Sequence, residues 1–402
     1  MQAHARFLAY AIVLAAAISV GWAAQPKSGV TLVDEDACRW CLDDPEIQAR
    51  LGVVAHEPIA IGPASFGGSE AFRTEMSSSD WVFIETTNLR WALSLRSQPL
   101  KRADQKRLEP YFQRMREAGI ELPKKVKKLD PELAVHLYAM RGEDLFERFL
   151  EIIQHEPEDF PDKRQDSGPY MGNGRYLGEA DKFEVYIHQT RFTHEQFTKK
   201  HMGTTVTGSL RWHFQDPHKM VASCPAEDSD LRADQWLWPY VAHNLSHLFL
   251  GAYKHFSFQP PVWLDEGLAL ALEREAEPTS ITTEGEEGTL NENLGNDDWV
   301  KQQRKLLRSD EPRMAQLLNK NTLGSLTELD IVSCWSRVRF LLDEHPDNLA
   351  ELLGRVKGQL DSEGYPTRKD MDGLQRRTFK ELWGWSFADF DEQWKEWLAL
   401  QF

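Results

Sequence analysis

The sequence predicts an α+β protein in which a mixed, mainly helical N-terminal domain precedes a small sheet and further helices. Three observations lead to this prediction. Residues 101–118 and 130–155 repeat apolar side chains at helical spacing, with Lys, Arg and Glu between them. Residues 182–224 contain alternating, β-rich segments separated by turn residues. Residues 299–402 return to helical periodicity, and the chain is long enough for two domains with separate cores.

Residues 1–24 have the layout of a secretory signal peptide. Arg6 precedes an apolar run from Phe7 to Ala24, with small residues near its end and polar residues beyond. Cleavage after Ala23 fits best, because cleavage after Ala24 would leave bulky Trp22 close to the cut. The run is barely long enough to cross a bilayer, so an uncleaved N-terminal anchor is the alternative. In both cases we expect an exported protein, in the periplasm, the cell envelope or the extracellular space.

The charge of the chain argues against nucleic acid as a partner. The formal net charge is −16, and it becomes −17 without the N-terminal segment, whose one charged residue is Arg6. A surface this acidic repels phosphate backbones and anionic lipid. Beyond the N-terminal run, no segment is long and apolar enough to cross a membrane.

The four cysteines, Cys38, Cys41, Cys224 and Cys334, suit an oxidising compartment, where an even number usually indicates disulfides. They can pair in three ways. The Cys38-x-x-Cys41 motif favours a structural bridge over a redox role, because no thioredoxin-like strand precedes it. Leu42 excludes the haem-attachment motif, and the lack of a second Cys-x-x-Cys pair argues against a zinc ribbon.

The N-terminal domain is expected at 25–166, with a helix at 44–53 and a strand at 81–85. A connection rich in glycine follows at 167–178. Its Gly-Asn-Gly sequence lacks the Lys and Ser or Thr of a phosphate-binding loop, so turn geometry is a sufficient explanation. The second domain is expected at 179–402.

The second domain begins with the predicted strands. A strand is expected at 182–190 and a short helix ends at 197–201. Strands at 207–214 and 220–224 can pair as a hairpin around Asp216-Pro217. His213 and His218 lie on this hairpin, and packing or surface exposure is the simpler interpretation of both.

Candidate metal ligands follow in two helical segments. His243 and His247 are four residues apart, so on a helix both imidazoles project from one face and can share a tetrahedral metal. This spacing also fits two polar residues on a solvated helix face. Eighteen residues separate His247 from Glu266, which lies within the amphipathic segment Trp-Leu-Asp-Glu-Gly-Leu-Ala at 263–269. The three residues together predict a zinc site.

This combination resembles the gluzincins, zinc metallopeptidases in which a helix with His-Glu-x-x-His is followed by a helix that supplies a glutamate ligand. It is most similar to the aminopeptidase-N-like branch, which has the same separation and a second helix similar to Trp-Leu-x-Glu-Gly-x-Ala. The resemblance implies that His243, His247 and Glu266 bind Zn²⁺. It also implies a gluzincin-like domain with the sheet and metal helices at 179–275 and a helical tail at 299–402. The N-terminal domain and the tail resemble parts of exported bacterial peptidase-like proteins.

Three features depart from the family pattern. Asn244 stands where the family has its general-base glutamate, and an amide cannot take a proton from metal-bound water near neutral pH. The Gly-x-Met-Glu-Asn segment that holds a substrate's amino terminus is absent, which places exopeptidase specificity in doubt. Ile331 stands where many related tails have a tyrosine hydroxyl. Asp265 is the nearest alternative base, although as a neighbour of Glu266 it should point away from the metal.

The bounds of the metal helix are less sharply marked in the sequence. Ser229 or Asp230 can cap its beginning, Gly251 can end it, and Pro239 can either kink it or lie in the first turn of a shorter helix. Residues 276–298 are rich in Glu, Thr, Gly and Asn and predict a loop.

The sequence thus favours a degenerate, inactive metallopeptidase homologue that keeps its zinc and acts as an exported binding or structural protein, with a peptide or protein as a potential ligand. The alternatives are an active zinc-dependent peptidase or hydrolase with a different base, and a metal-free scaffold.

Overall fold

A mixed six-stranded sheet lies at the centre of the structure, with helices on both faces. The structure is a computed structural model that describes residues 37–62, 67–165, 167–227, 231–282 and 296–401. The strands are β1 (Val53–His56), β2 (Val82–Thr86), β3 (Leu89–Leu93), β4 (Gln98–Pro99), β5 (Lys128–Leu129), β6 (Phe183–His188), β7 (Leu210–Phe214) and β8 (Lys219–Pro225). The helices are α1 (Pro45–Arg50), α2 (Ser69–Glu75), α3 (Arg102–Ala118), α4 (Pro131–Ile153), α5 (Arg191–His201), α6 (Asp234–Ala252), α7 (Val262–Ala276), α8 (Asn296–Arg308), α9 (Met314–Leu317), α10 (Glu328–Glu344), α11 (Pro346–Lys357), α12 (Met371–Trp383) and α13 (Phe387–Ala399).

The strand order in the sheet is β1-β2-β3-β6-β8-β7. Strands β1, β2 and β3 are antiparallel neighbours, β6 is parallel to both β3 and β8, and β7 pairs with β8 in antiparallel orientation. Strand β7 is therefore an edge strand, and it is joined by a tight turn to the strand that leads into α6. Short strands β4 and β5 form a separate pair.

Both faces of the sheet are buried, as the side chains of β6 show. Phe183, Val185 and Ile187 belong to the core that contains α4 and α6, whereas Tyr186 belongs to a second core with Phe72 of α2 and residues of α5. Because successive residues of a strand point to opposite faces, a central strand covered on both sides is buried at nearly every position. This explains why all six residues of β6 are buried.

Helix α4 packs closely on the sheet because it has a glycine at the contact. A Cβ placed on Gly142 would lie 2.4 Å from Cζ2 of Trp91 in β3, closer than non-bonded carbon atoms approach. The indole of Trp91 fills the space above the helix backbone and is fully buried. Any larger residue at 142 would push α4 away from the sheet.

The predicted α+β class is confirmed, and most predicted elements are present with small changes in their ends. Helices α3 and α4 and the hairpin of β7 and β8 lie where the sequence predicted them. The helix predicted at 44–53 ends at Arg50, because Gly52 adopts a φ of +71° and the chain turns into β1. Helix α6 begins at Asp234 and contains Pro239 in its interior, and it continues one residue beyond Gly251 to Ala252.

The predicted linker at 167–178 joins α4 to β6, and these elements belong to one sheet and one core. Strands β3 and β6 come from the two predicted domains and are directly paired. Residues from Cys38 onward form one compact unit. A domain boundary at 167–178 would therefore cut between neighbouring strands of the central sheet.

Some sequence predictions fall on residues that the structure does not describe. The signal peptide at 1–24, the cap candidates Ser229 and Asp230 and most of the loop at 276–298 lie outside the described residues. In the described part of the chain, no helix combines the length and apolar character needed to cross a membrane.

Candidate metal centre

Helix α6 carries His243 and His247 and is fixed at its N-terminal end by a buried ion pair. The carboxylate of Asp234, the first residue of the helix, accepts hydrogen bonds from Arg107 and Arg141 at 2.9 Å each. Burial alone would raise the pKa of Asp234, but the two guanidinium groups hold it below its ordinary value. The ion pairs connect the metal helix to α3 and α4.

The three predicted ligands, His243, His247 and Glu266, converge in the protein interior. The Nε2 atoms of His243 and His247 are 3.1 Å apart, and Oε2 of Glu266 lies 4.0 Å from the former and 3.6 Å from the latter. Two nitrogen ligands of a tetrahedral zinc at about 2.0–2.1 Å are roughly 3.3 Å apart. The two nitrogens are therefore spaced as in a shared zinc site, and Oε2 of Glu266 would have to move inward to join them.

The far nitrogens of the two imidazoles each lie beside a carboxylate. His243 donates from Nδ1 to Oε2 of Glu273 over 2.9 Å, and Nδ1 of His247 lies 2.9 Å from Oδ1 of Asp265. Neutral rings protonated at Nδ1 present lone pairs at Nε2. Oε2 of Glu266 has no hydrogen-bond partner among the described residues. The close approach of the two Nε2 atoms requires a shared cation, which is either a proton in a hydrogen bond between them or a metal ion.

The pKa of His247 agrees with this need for a cation. Burial, the largest single influence, disfavours the charged form of His247, but the carboxylates of Asp265 and Glu266 together outweigh it and raise the pKa of His247 to about 9. Without a metal, the site would therefore hold a proton in its place at neutral pH. We expect zinc binding to release this proton.

Glu273 is a residue that the sequence analysis missed. Its Oε2 holds His243, while its Oε1 accepts hydrogen bonds from Ser280 at 2.7 Å and Thr282 at 2.9 Å. Carboxylates that orient a histidine ligand in this way raise its basicity and fix its ring. Glu273 lies two turns after Glu266 on α7, so both side chains lie on the same helix face. This spacing was the signal in the sequence that could have indicated Glu273 as part of the candidate site.

Asn244 lies beside the candidate ligands, and both ends of its amide are engaged. Its Oδ1 accepts a hydrogen bond of 2.9 Å from Nη1 of Arg211, and its Nδ2 donates to the carbonyl oxygen of Tyr240 at 2.9 Å. Arg211 belongs to the edge strand β7 and was also missed in the sequence analysis. The position of the family's general base is therefore occupied by a neutral amide in contact with a cationic guanidinium.

Asp265, the alternative base considered from the sequence, contacts the ring of His247 at the nitrogen that faces away from Glu266. It therefore contacts the ring of a candidate ligand. Ile331 is buried on α10 and offers no hydroxyl.

Glu266 is positioned by close packing of α7 against α10. A Cβ placed on the next residue, Gly267, would lie 2.5 Å from Cγ2 of Val338 and 2.6 Å from the carbonyl oxygen of Cys334. The glycine therefore permits the two helix backbones to approach directly. This explains the Glu-Gly pair in the Trp-Leu-Asp-Glu-Gly segment in physical terms.

A cleft of about 550 Å³ opens onto the candidate site. Arg211, Trp212 and His213 of β7 line one side, and His247 and Asp265 line its base. Residues 321–325 also line the cleft. The edge strand thus lies along the cleft, with its Arg211 directed to the metal helix.

His213 and His218 were interpreted from the sequence as packing or surface residues, and His218 is exposed; the structure also groups them with Glu179 and His255. Nε2 of His213 lies 3.0 Å from Oε2 of Glu179, and the backbone N–H of Phe256 donates to the same carboxylate at 2.6 Å. Although burial works in the opposite direction, these hydrogen bonds and His255 lower the pKa of Glu179 to about 2. Contacts within the protein thus account for this cluster.

The disulfide predicted from the cysteine count is not present. All four cysteines are buried free thiols. Cys224 lies in β8 and Cys334 in α10, where both contribute to the apolar core as small hydrophobic side chains. Cys38 and Cys41 have a different environment, described below.

No protein-family model matches the chain, and no curated protein matches it significantly.

Proposed function

We propose that this chain is a gluzincin-like protein that binds zinc through His243, His247 and Glu266 and uses this site to bind an anionic group, such as a peptide carboxylate, without efficient hydrolysis. The observation that carries the proposal is the arrangement at Asn244. Three ligand atoms converge as for zinc, while the amide of Asn244, paired with Arg211, stands where the family's base would be.

The charge at the site favours an anion. Zinc bound to two neutral histidines and one glutamate carries a net charge of about +1 and attracts an anion at its open position. Arg211 adds a further positive charge next to the candidate ligands, as its lowering influence on the pKa of His247 shows. Guanidinium groups bind carboxylates with short, charge-assisted hydrogen bonds. Metal and guanidinium together would hold a carboxylate from two sides.

The edge strand β7 supports an extended peptide as the carrier of that carboxylate. An edge strand presents backbone donors and acceptors to which a peptide can add as a further strand. Arg211 and Trp212 of β7 line the cleft, and Trp212 is 36 % exposed. An aromatic surface beside a cationic group suits a ligand with an apolar side chain and a terminal carboxylate.

Hydrolysis would be weak because the proton acceptor is missing. A positioned general base typically contributes 10²–10⁴-fold to a rate. The amide of Asn244 has no proton-accepting role near neutral pH, and both of its polar ends are engaged with protein groups. The family's fold and ligand set would thus serve recognition in this chain.

The metal part of the proposal is tested by zinc analysis after purification without chelator. His243→Ala, His247→Ala and Glu266→Gln should each lower the bound zinc by one equivalent per chain. Glu275→Gln is the matched control, since Glu275 lies on the same helix but pairs with Arg148 and Arg339. Zinc content unchanged in all three ligand variants would refute the site.

The binding part is tested with cobalt-substituted protein, in which a carboxylate at the metal changes the visible spectrum. Acetate and a short peptide should shift the spectrum of the native chain, and Arg211→Gln should weaken both. A spectrum that neither ligand alters would contradict anion binding. Strong, chelator-sensitive peptide cleavage by the native chain, retained in Asn244→Ala, would show an enzyme instead.

A further inference from the structure

A second set of metal-binding side chains, distinct from the site described above, lies near the beginning of the described chain. It consists of Cys38 and Cys41, His56 at the end of β1, and His136 in α4. One potential ligand atom from each of the four lies within 4.8 Å of all the others. The fold thus brings two histidines that are distant in sequence to the Cys-x-x-Cys motif.

The spacing of these atoms is close to that of a tetrahedral zinc centre. Sγ of Cys38 and Nε2 of His136 are 3.4 Å apart. A sulfur and a nitrogen bound to one zinc at about 2.3 and 2.0–2.1 Å lie roughly 3.6 Å apart. Cys41 and His136 are 0 % and 1 % exposed, so the centre is closed to solvent on most sides, as structural zinc sites usually are.

His56 is oriented to act as a ligand. Its Nδ1 lies 3.2 Å from the carbonyl oxygen of Phe83 in β2, to which it donates a hydrogen bond as an N–H. This leaves Nε2 with a lone pair, and that nitrogen is buried with no hydrogen-bond partner among the described residues. A histidine whose far nitrogen donates to a backbone carbonyl is the usual arrangement in metal sites.

The backbone around the cysteines is shaped into a tight loop. Leu42 and Asp43 follow the second cysteine with φ values of 54° and 52°, the left-handed region that non-glycine residues seldom adopt. The N–H of Leu42 donates to the carbonyl oxygen of Cys38 at 2.7 Å, and the N–H of Asp44 donates to that of Cys41 at 2.9 Å. Such strain is retained where another interaction compensates for it, and a shared metal would do so here.

We propose that Cys38, Cys41, His56 and His136 bind a structural Zn²⁺ ion that fastens the loop after residue 37 to β1 and α4. Two sulfur and two nitrogen ligands in tetrahedral geometry select zinc among the common divalent ions. All four positions are supplied by the protein, so the site has no open position for a substrate. The centre is independent of the proposed function at His243, His247 and Glu266.

This site revises the sequence interpretation of the Cys-x-x-Cys motif. A zinc ribbon was set aside because the sequence contains no second cysteine pair, and a disulfide was favoured instead. The missing ligands are histidines, one from a strand and one from a helix, which short-range spacing does not reveal. Zinc would also keep both thiols reduced in an oxidising compartment.

Cobalt substitution tests the proposal, because thiolate-bound cobalt has an intense charge-transfer absorption that a site with only nitrogen and oxygen ligands lacks. The double variant His243→Ala/His247→Ala, which removes the first site, should still bind one equivalent of cobalt with this absorption. Adding Cys38→Ser should reduce the absorption at least tenfold. Cys224→Ala and Cys334→Ala are the matched controls and should leave it unchanged.

His56→Ala provides a second variant, since His56 is the most exposed of the four residues and its replacement disturbs the core least. It should weaken metal binding 10-fold or more while the protein stays folded. Reduced native protein that takes up cobalt without charge-transfer absorption would overturn the proposal. A Cys38–Cys41 disulfide in protein purified without reductant would also overturn it.

Discussion

Nη1 of Arg211 lies 2.9 Å from Oδ1 of Asn244 and donates a hydrogen bond to it, which links the edge strand of the sheet to the metal helix. The contact has a functional consequence, because a carboxylate introduced at this position would meet a guanidinium group. An opposite charge in contact favours the ionised carboxylate and lowers its pKa. A base weakened in this way accepts a proton from metal-bound water less readily.

We therefore expect that Asn244→Glu alone restores little peptidase activity and that Asn244→Glu/Arg211→Gln restores more. Without the guanidinium, the new carboxylate can act as a general base, and such a base contributes on the order of 10²–10⁴-fold to the rate of hydrolysis. The measurement is chelator-sensitive cleavage of a mixed peptide library. Arg211→Gln alone is the control and should remain inactive. Equal activity of the single and double variants would contradict the inhibitory role of Arg211.

Glu273→Gln is expected to weaken zinc binding at the His243 site by 10- to 100-fold. The carboxylate fixes the Nδ1 proton of His243, whereas an amide can turn its NH₂ group to that nitrogen and permit the wrong tautomer. Competition with a chelator of known affinity measures the change. Glu275→Gln removes the same charge from the same helix without touching His243. The zinc affinity of this variant should therefore equal that of the native chain.

Gly267→Ala should destabilise the protein by about 1–3 kcal/mol or more, because the added methyl group overlaps backbone atoms of α10 that cannot rotate away. Gly354→Ala in α11 is the matched control. Its Cβ would lie 3.4 Å from the hydroxyl oxygen of Tyr253, an ordinary contact, so the better helix propensity of alanine should stabilise by up to about 1 kcal/mol. Urea denaturation of both variants gives the two free energies. Similar effects of the two substitutions would show that the α7–α10 contact is not tight.

Acid should destabilise the protein through His194 between about pH 6.5 and 4. Nδ1 of His194 lies 2.9 Å from Oγ of Ser223, which also lies 3.1 Å from Nε2 of His188. Burial lowers the pKa of His194 to about 4, so the ring is neutral in the folded protein but gains a proton on unfolding as the pH falls below 6.5. Since one pKa unit corresponds to about 1.36 kcal/mol, His194 should cost about 3 kcal/mol of stability at pH 4 relative to pH 7.

The measurement is the free energy of unfolding against pH, with chelator present so that metal release does not contribute. His194→Gln cannot titrate. Between pH 6.5 and 4, its plot of unfolding free energy against pH should therefore be less steep than that of the native chain, by the slope that corresponds to the uptake of about one proton on unfolding. Unchanged slopes would show that His194 is not the responsible group.

The sequence predicted those features that depend on local spacing. Helices α3 and α4 have long apolar periodicities, and the pair His243 and His247 lies on one helical face wherever the helix is placed. Glu266 was found because its neighbours have a distinctive order. These predictions needed no knowledge of which elements pack together.

Residues that depend on tertiary pairing could not be found in this way. Arg211 reaches Asn244 only because β7 is the edge strand beside α6, and His56 and His136 reach the cysteines only through the packing of β1 and α4. The disulfide expectation failed because an even cysteine count indicates compartment and chemistry but not distance. The strands β1 and β3 were also missed, although β3 is as long as β2, which was predicted.

The parallel pairing of Trp91 in β3 with Val185 in β6 has a consequence for how the protein folds. β3 and β6 can pair only after the roughly 90 residues between them have formed a closed loop. Such loop closure slows folding, because its entropic cost is incurred before the stabilising strand contacts form. A nascent chain that has not yet reached β6 leaves the backbone of β3 unpaired along one side. Such an exposed strand can associate with other chains, so the period between the synthesis of β3 and of β6 is when this protein is most vulnerable to aggregation.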